Sequence, residues 1–345
     1  MSAGLSVQPD CLDAPQQKQM SAAGSAAWLF GLACVALAAA AALLAGWAPL
    51  GFSIVTVFLF AGPHNWIEAR YFLSRLPARW GKLRGFFGLA FAGIFGLTIY
   101  YAAFAWIELG WNETNWRIAL ATWNTLLVGW IVVLVHMRSR QNPRRDWSWT
   151  LPVGFLVIAL AWLQPEGWAL GLVFLHPLMA FWILDRELRR SRPEWLKTYR
   201  CCLLMVPLLL GLLWWRLADA PSLPGIDAFT VRITRHAGAD LLPGVSSHLL
   251  VATHTFLEML HYSVWLVAIP LVTLGAAPWR IGTVPLARRS HKWGMAVAGV
   301  LAIGAAAVIV LWCGFLADYP VTRDIYFTVA MLHVLAEVPF LLRAM

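Results

Sequence analysis

Charge is what this sequence has least of. Only 12% of its 345 residues are Asp, Glu, Lys or Arg, where a soluble domain carries about 25%. With 60% hydrophobic residues and a mean hydropathy of +0.68, the composition excludes an ordinary water-soluble enzyme and points to an integral membrane protein. Cysteine is also sparse and unpatterned. Cys11, Cys34, Cys201, Cys202 and Cys313 form no CxxC, so neither a disulfide frame nor a thiolate metal site can be read from them. A Gly-rich phosphate loop, a GxSxG elbow and an HExxH motif are all missing. The net charge of +9 is not a nucleic-acid signature, because the basic residues stand in short clusters between apolar runs; no nucleic-acid partner is expected.

What is present is a succession of apolar runs, each close to the roughly 20 residues that cross a bilayer core of about 30 Å. They fall at 24–46, 50–74, 85–107, 117–137, 149–164, 168–185, 199–217, 246–271, 293–317 and 324–343, the fifth being the shortest. The expected fold is an all-α, polytopic integral membrane helix bundle of about ten transmembrane helices. With a cytoplasmic N-terminus, 21 of the 26 basic residues fall on the cytoplasmic side, so the charge distribution places both termini there. Residues 1–22 read as a disordered cytoplasmic tail. No basic cluster precedes the first run, which is long enough to remain as a span. Residues 23–345 read as one transmembrane domain, with 218–245 as a cap segment on the outer side. This organisation, without eukaryotic targeting signals, fits a bacterial inner (cytoplasmic) membrane.

Inside these runs three histidines are each followed four residues later by a glutamate: His64/Glu68, His254/Glu258 and His333/Glu337. Nine histidines and eight glutamates in 345 positions give about 0.2 such pairs by chance. Residues four apart share a helix face. His261 extends the second pair to His-x3-Glu-x2-His, and Glu-x-x-His steps are a known way of placing two ligands on a di-iron centre. The three spans run in the same direction, and the sixth adds His176. Carboxylates at such depth are costly unless they meet a cation, a proton or water.

The expected metal ligands are therefore His64, Glu68, His176, His254, Glu258, His261, His333 and Glu337. Imidazole with carboxylate suits iron, the favoured metal, with zinc or manganese as alternatives. Blander roles compete. A lone His136 or His176 can serve as a helix–helix hydrogen-bonding residue. Arg70 can neutralise Glu68 and remove it from the set. Tyr262 can support the ligands or simply pack, and His236 and Asp240 read as solvated loop residues.

In chemistry and topology the chain resembles the histidine-rich membrane oxygenases, such as membrane desaturases and the bacterial carotene-cleaving oxygenases, although the desaturase HxxHH boxes are absent and no motif aligns. That likeness carries over no substrate; a metal buried in the lipid-facing core is itself well placed for a lipid-soluble small molecule or membrane lipid, so the expected function is a non-haem metal-dependent oxidoreductase, with an electron-donor protein as a candidate partner. The alternatives are a metal-ion or proton transporter using the same residues, and a haem-binding membrane protein.

Overall fold

The computed structural model describes residues 14–107, 113–141, 146–274 and 278–344. Among the described residues all regular structure is helical. Twelve helices follow one another: α1 (Ala14–Trp47), α2 (Pro49–Arg75), α3 (Arg84–Ile107), α4 (Glu113–Gln141), α5 (Thr150–Leu163), α6 (Pro165–Ser191), α7 (Leu196–Leu203), α8 (Met205–Leu217), α9 (Ala228–His236), α10 (Ser247–Ser263), α11 (His291–Ala317) and α12 (Tyr319–Ala344). Residues 1–13 of the expected tail lie outside the described residues, and residues 14–22 belong to α1.

Nine helical segments among the described residues are long and apolar enough to cross a membrane, which makes this a polytopic helical membrane bundle. α7 and α8 together supply one of them, Pro193–Leu217, and α10 continues to Leu274. The fifth expected span, 149–164, is corrected, which leaves those nine. α5 has 14 residues, about 21 Å at 1.5 Å per residue, short of a core of about 30 Å. It turns back into α6 partway along α4, where Trp162 Nε1 donates to Thr125 Oγ1 at 2.9 Å and Asn124 Nδ2 donates to the Pro165 carbonyl at 3.4 Å.

The ends of the helices fix their directions. Arg75 of α2 pairs with Glu187 of α6, Arg138 of α4 donates to the Leu342 carbonyl of α12, and Arg343 donates to the Arg75 carbonyl. α2, α4, α6 and α12 therefore end together in an arginine-rich face. Arg70 bonds the segment that leaves α10, through the carbonyls of Pro278 (2.6 Å) and Arg280 (3.0 Å) and Thr283 Oγ1 (2.5 Å). α10 thus points the same way.

α2, α6, α10 and α12 form the middle of the bundle. α1 and α8 cover one flank through Ala38, Ala41, Ala45, Leu209 and Leu213, which meet Phe256 and Leu260 of α10. α3 and α4 cover the other flank against α12. α11 lies against α2 and α12 and leaves most of its apolar surface outward. At the end opposite the arginines, α9 starts on an Asp227 cap that accepts from Thr230 N–H at 2.6 Å, and packs Ile233 and Ala237 on Leu250 and Val251 of α10.

α3 and α4 approach closely at Gly93, where an added Cβ would fall on the indole of Trp130, whose Nε1 donates to the Leu89 carbonyl at 3.0 Å. Gly93→Ala should overpack this contact and lower stability by about 1–3 kcal/mol, read as a lower unfolding midpoint in detergent. Gly88→Ala, in the same helix with open space around it, should hold the midpoint or raise it slightly.

Candidate metal centre

Proline interrupts three of the four central helices where the polar residues lie. Pro63 precedes His64 in α2, Pro177 follows His176 in α6, and Pro339 stands two residues beyond Glu337 in α12. Each proline withdraws one N–H from its helical ladder. In α10 the winding widens just past His261: the Ile269 N–H bonds the Val264 carbonyl, five residues back. Such π-helical turns gather at functional sites.

His64, His261 and His333 lie about 21–22 Å from the starts of α2, α10 and α12, at 1.5 Å per residue, and so reach one level. His176 joins them from α6. Ring centroids are 4.5 Å apart for His176 and His261, 5.1 Å for His64 and His333, 5.3 Å for His176 and His333, and 5.4 Å for His64 and His261. Glu68 and Glu337, one turn further on, close the group. Two overlapping sets result: His64, Glu68, His261 and His333, and His176, His261 and Glu337, each offering ligand atoms within 4.8 Å of one another.

The hydrogen bonding leaves these atoms open. His64 Nδ1 donates to the Phe60 carbonyl at 2.9 Å, so the lone pair of the neutral ring is on Nε2, which is buried without a partner. Both carboxylate oxygens of Glu68 are buried and unpartnered. Glu337 Oε2 lies 3.1 Å from His176 Nδ1, out of line for a hydrogen bond, and Oε1 has no partner. His261 forms no well-aligned hydrogen bond, although the Pro177 backbone faces its ring, and His333 Nδ1 is also unpartnered. Glu68 and Glu337 are both 0% exposed, which decides that water does not stand in as their partner from the surface.

This donor set fits a transition-metal ion. Ligands at about 2.0–2.2 Å stand about 3.4 Å apart in a tetrahedral site, so a group within 4.8 Å would close on an ion through side-chain shifts of about an ångström. A fixed tautomer with its other nitrogen bonded to a carbonyl is also how metal-bound histidines are commonly oriented.

Six of the eight expected ligands come together here. His254 and Glu258 do not join either set. They lie one to two turns nearer α9, where Glu258 Oε1 accepts from Tyr262 Oη at 2.8 Å and the His254 ring stands 5.0 Å from His236. Arg70 does not neutralise Glu68, because its guanidinium is turned to the loop beyond α10. Tyr262 does more than pack: its ring is 4.3 Å from that of His64, so it connects Glu258 to the centre. His236 is not a free loop residue. Desolvation beneath the cap pushes its pKa well below the usual imidazole value, with His254 and Arg323 adding like-charge repulsion. Arg323, buried over the ring of Phe327 and facing Glu258, was legible only as a basic residue near the start of a span. Tyr326, which interacts with Tyr262 and Asn65, left no sequence signal.

Fold and site define a polytopic helical membrane protein with a buried His/Glu group that could hold a metal ion. Comparisons with protein families, with characterised proteins and with solved structures gave no match, so its chemistry rests on its own residues.

Glu68 supplies a direct test of the unsatisfied charge. In metal-stripped protein, Glu68→Met should raise stability by about 1–4 kcal/mol, because an unpartnered buried carboxylate is replaced by an apolar group of similar volume. Addition of iron or zinc should stabilise the parent protein more than the variant, which keeps His176, His261 and Glu337; thermal unfolding with and without metal reads both effects.

Proposed function

We propose that this protein is an integral membrane non-haem metalloenzyme, with iron the favoured metal, that carries out oxidoreductase chemistry on a lipid-soluble substrate. One observation supports it above the others: histidines and glutamates from four separate helices turn unpartnered ligand atoms towards one another at mid-bundle. His64, Glu68, His261 and His333 would hold the ion, with His176 and Glu337 on the adjoining side. Bound iron would supply redox chemistry and an open coordination position. The chain's own part is to fix the His64 tautomer, bury the carboxylates and exclude bulk water. Haem is less well supported, since the imidazoles pack ring against ring and a macrocycle would have to force them apart. The arginine-rich end is assigned to the cytoplasm by the positive-inside rule.

Elemental analysis with an optical spectrum of the purified protein tests this reading. Bound iron without a Soret band is expected. His261→Ala and His333→Ala should each lower metal content at least about tenfold, whereas His254→Ala should retain it. A strong Soret band would restore the haem reading. Zinc or no metal, together with ion flux in liposomes, would favour transport. Full metal retention in both His261→Ala and His333→Ala sinks the ligand assignment.

A further inference from the structure

A second polar feature lies two helical turns from the centre, at the arginine-rich end. Tyr71, Ile183 and Phe340 follow His64, His176 and His333 by seven residues, and Arg75 follows Glu68 by seven. Seven residues is close to two turns, so the helix faces that carry the centre continue, about 10 Å on, into the wall of a cavity of about 250 Å³.

Arg75, Arg186, Arg190 and Arg343 line this cavity together with a single acid, Glu187. Glu187 is already engaged. It accepts from Tyr71 Oη at 2.8 Å and pairs with Arg75, while Arg190 stands 3.7 Å away. One carboxylate cannot balance four guanidiniums. Arg343 uses one N–H on the Arg75 carbonyl and faces the like charges of Arg75, Arg138 and Arg190. The Nε atoms of Arg75 and Arg186 are buried without an acceptor, and an unmade hydrogen bond at a charged group is more costly than at a neutral one. A layer of rings divides this cavity from the centre: Phe72 stacks on Phe340 at 4.3 Å, and Trp265 stands edge-on to Phe72 and Tyr71.

We propose that this cavity binds a phosphate-bearing anion, supplied either by the headgroup of an acidic lipid or by a soluble phosphate. Guanidinium forks match phosphate oxygens in geometry and charge, and basic pockets between membrane helices take acidic headgroups. The aromatic layer makes the site independent of metal binding.

Native mass spectrometry of the full-length protein released from mixed phosphatidylcholine and phosphatidylglycerol nanodiscs reads the lipid source. Calorimetric titration of the detergent-purified protein with inorganic phosphate reads the soluble one. Retention of phosphatidylglycerol over phosphatidylcholine, or saturable phosphate binding, is expected in one arm or both. Arg186→Gln and Arg190→Gln should each weaken it about tenfold, the factor for one lost charge-assisted hydrogen bond. Arg190 is more than half exposed, so its variant keeps the test valid should Arg186→Gln fold poorly. Arg189→Gln, whose parent residue pairs with Asp185 outside the cavity, removes the same charge and should change nothing. No binding in either arm, or binding undiminished by Arg190→Gln, overturns the proposal.

Discussion

The constraint on which the rest depends is the cost of a carboxylate in a low-dielectric interior. Glu68 and Glu337 bury all four of their oxygens without a well-formed hydrogen bond. The penalty for an uncompensated buried ion is several kcal/mol even after relaxation, and a whole domain is stable by only about 5–15 kcal/mol. Two such ions would take up much of that margin, so each carboxylate needs a partner, whether a cation, a proton or a buried water. The nearest candidate side chains are imidazoles, and a neutral imidazole brings a lone pair, not a charge. A divalent ion satisfies the carboxylates and the imidazoles together; a protonated Glu68 could also donate to an imidazole lone pair, but Glu68 and His64 Nε2 form no hydrogen bond in the observed geometry.

The prolines and the widened turn in α10 belong to the same problem. Regular bundles can hold metal ligands on facing helices, but here the ligand-bearing turns are irregular. Pro63, Pro177 and Pro339 each release a helical hydrogen bond beside a ligand-bearing turn, and the π turn follows His261 directly. Irregular backbone of this kind persists in a membrane only where it is enclosed by protein. Its concentration around the six residues ties the irregularities to the centre more closely than to helix packing in general.

The helical bundle and the shared faces of His64/Glu68 and His333/Glu337 were legible because hydropathy and spacing report them directly. Depth was less so. α2 and α12 bring the histidine first and the glutamate a turn later, and α10 repeats the pattern in His254/Glu258, yet its contribution comes from His261. The spacing specifies a face; the level at which that face meets its neighbours depends on where each helix starts, which the sequence gives only to within several residues. Seven residues along α10 amount to about 10 Å, enough to carry His254 out of the group. The short α5 was hidden for the same reason, since an apolar run shows its character more clearly than its usable length. Arg323 and Tyr326 were illegible because tertiary contacts, not local pattern, bring them to Glu258.

The two sides of the centre are built differently, and this limits how it can exchange with its surroundings. Towards α9, Tyr262, Glu258, His254 and His236 succeed one another as groups able to hydrogen-bond, beginning with a ring in contact with His64. Towards the arginines, Phe72, Phe340 and Trp265 offer only aromatic surface, apart from an indole N–H with no acceptor. Towards α9 the Tyr262–Glu258 hydrogen bond is followed by His254 Nδ1, 3.9 Å from Glu258 Oε2, and then by the His236 ring. A proton or a water molecule moving the other way must cross a stacked layer that offers almost no partner. The polar surroundings of the centre are thus one-sided, with hydrogen-bonding groups towards α9 and aromatic surface towards the arginines.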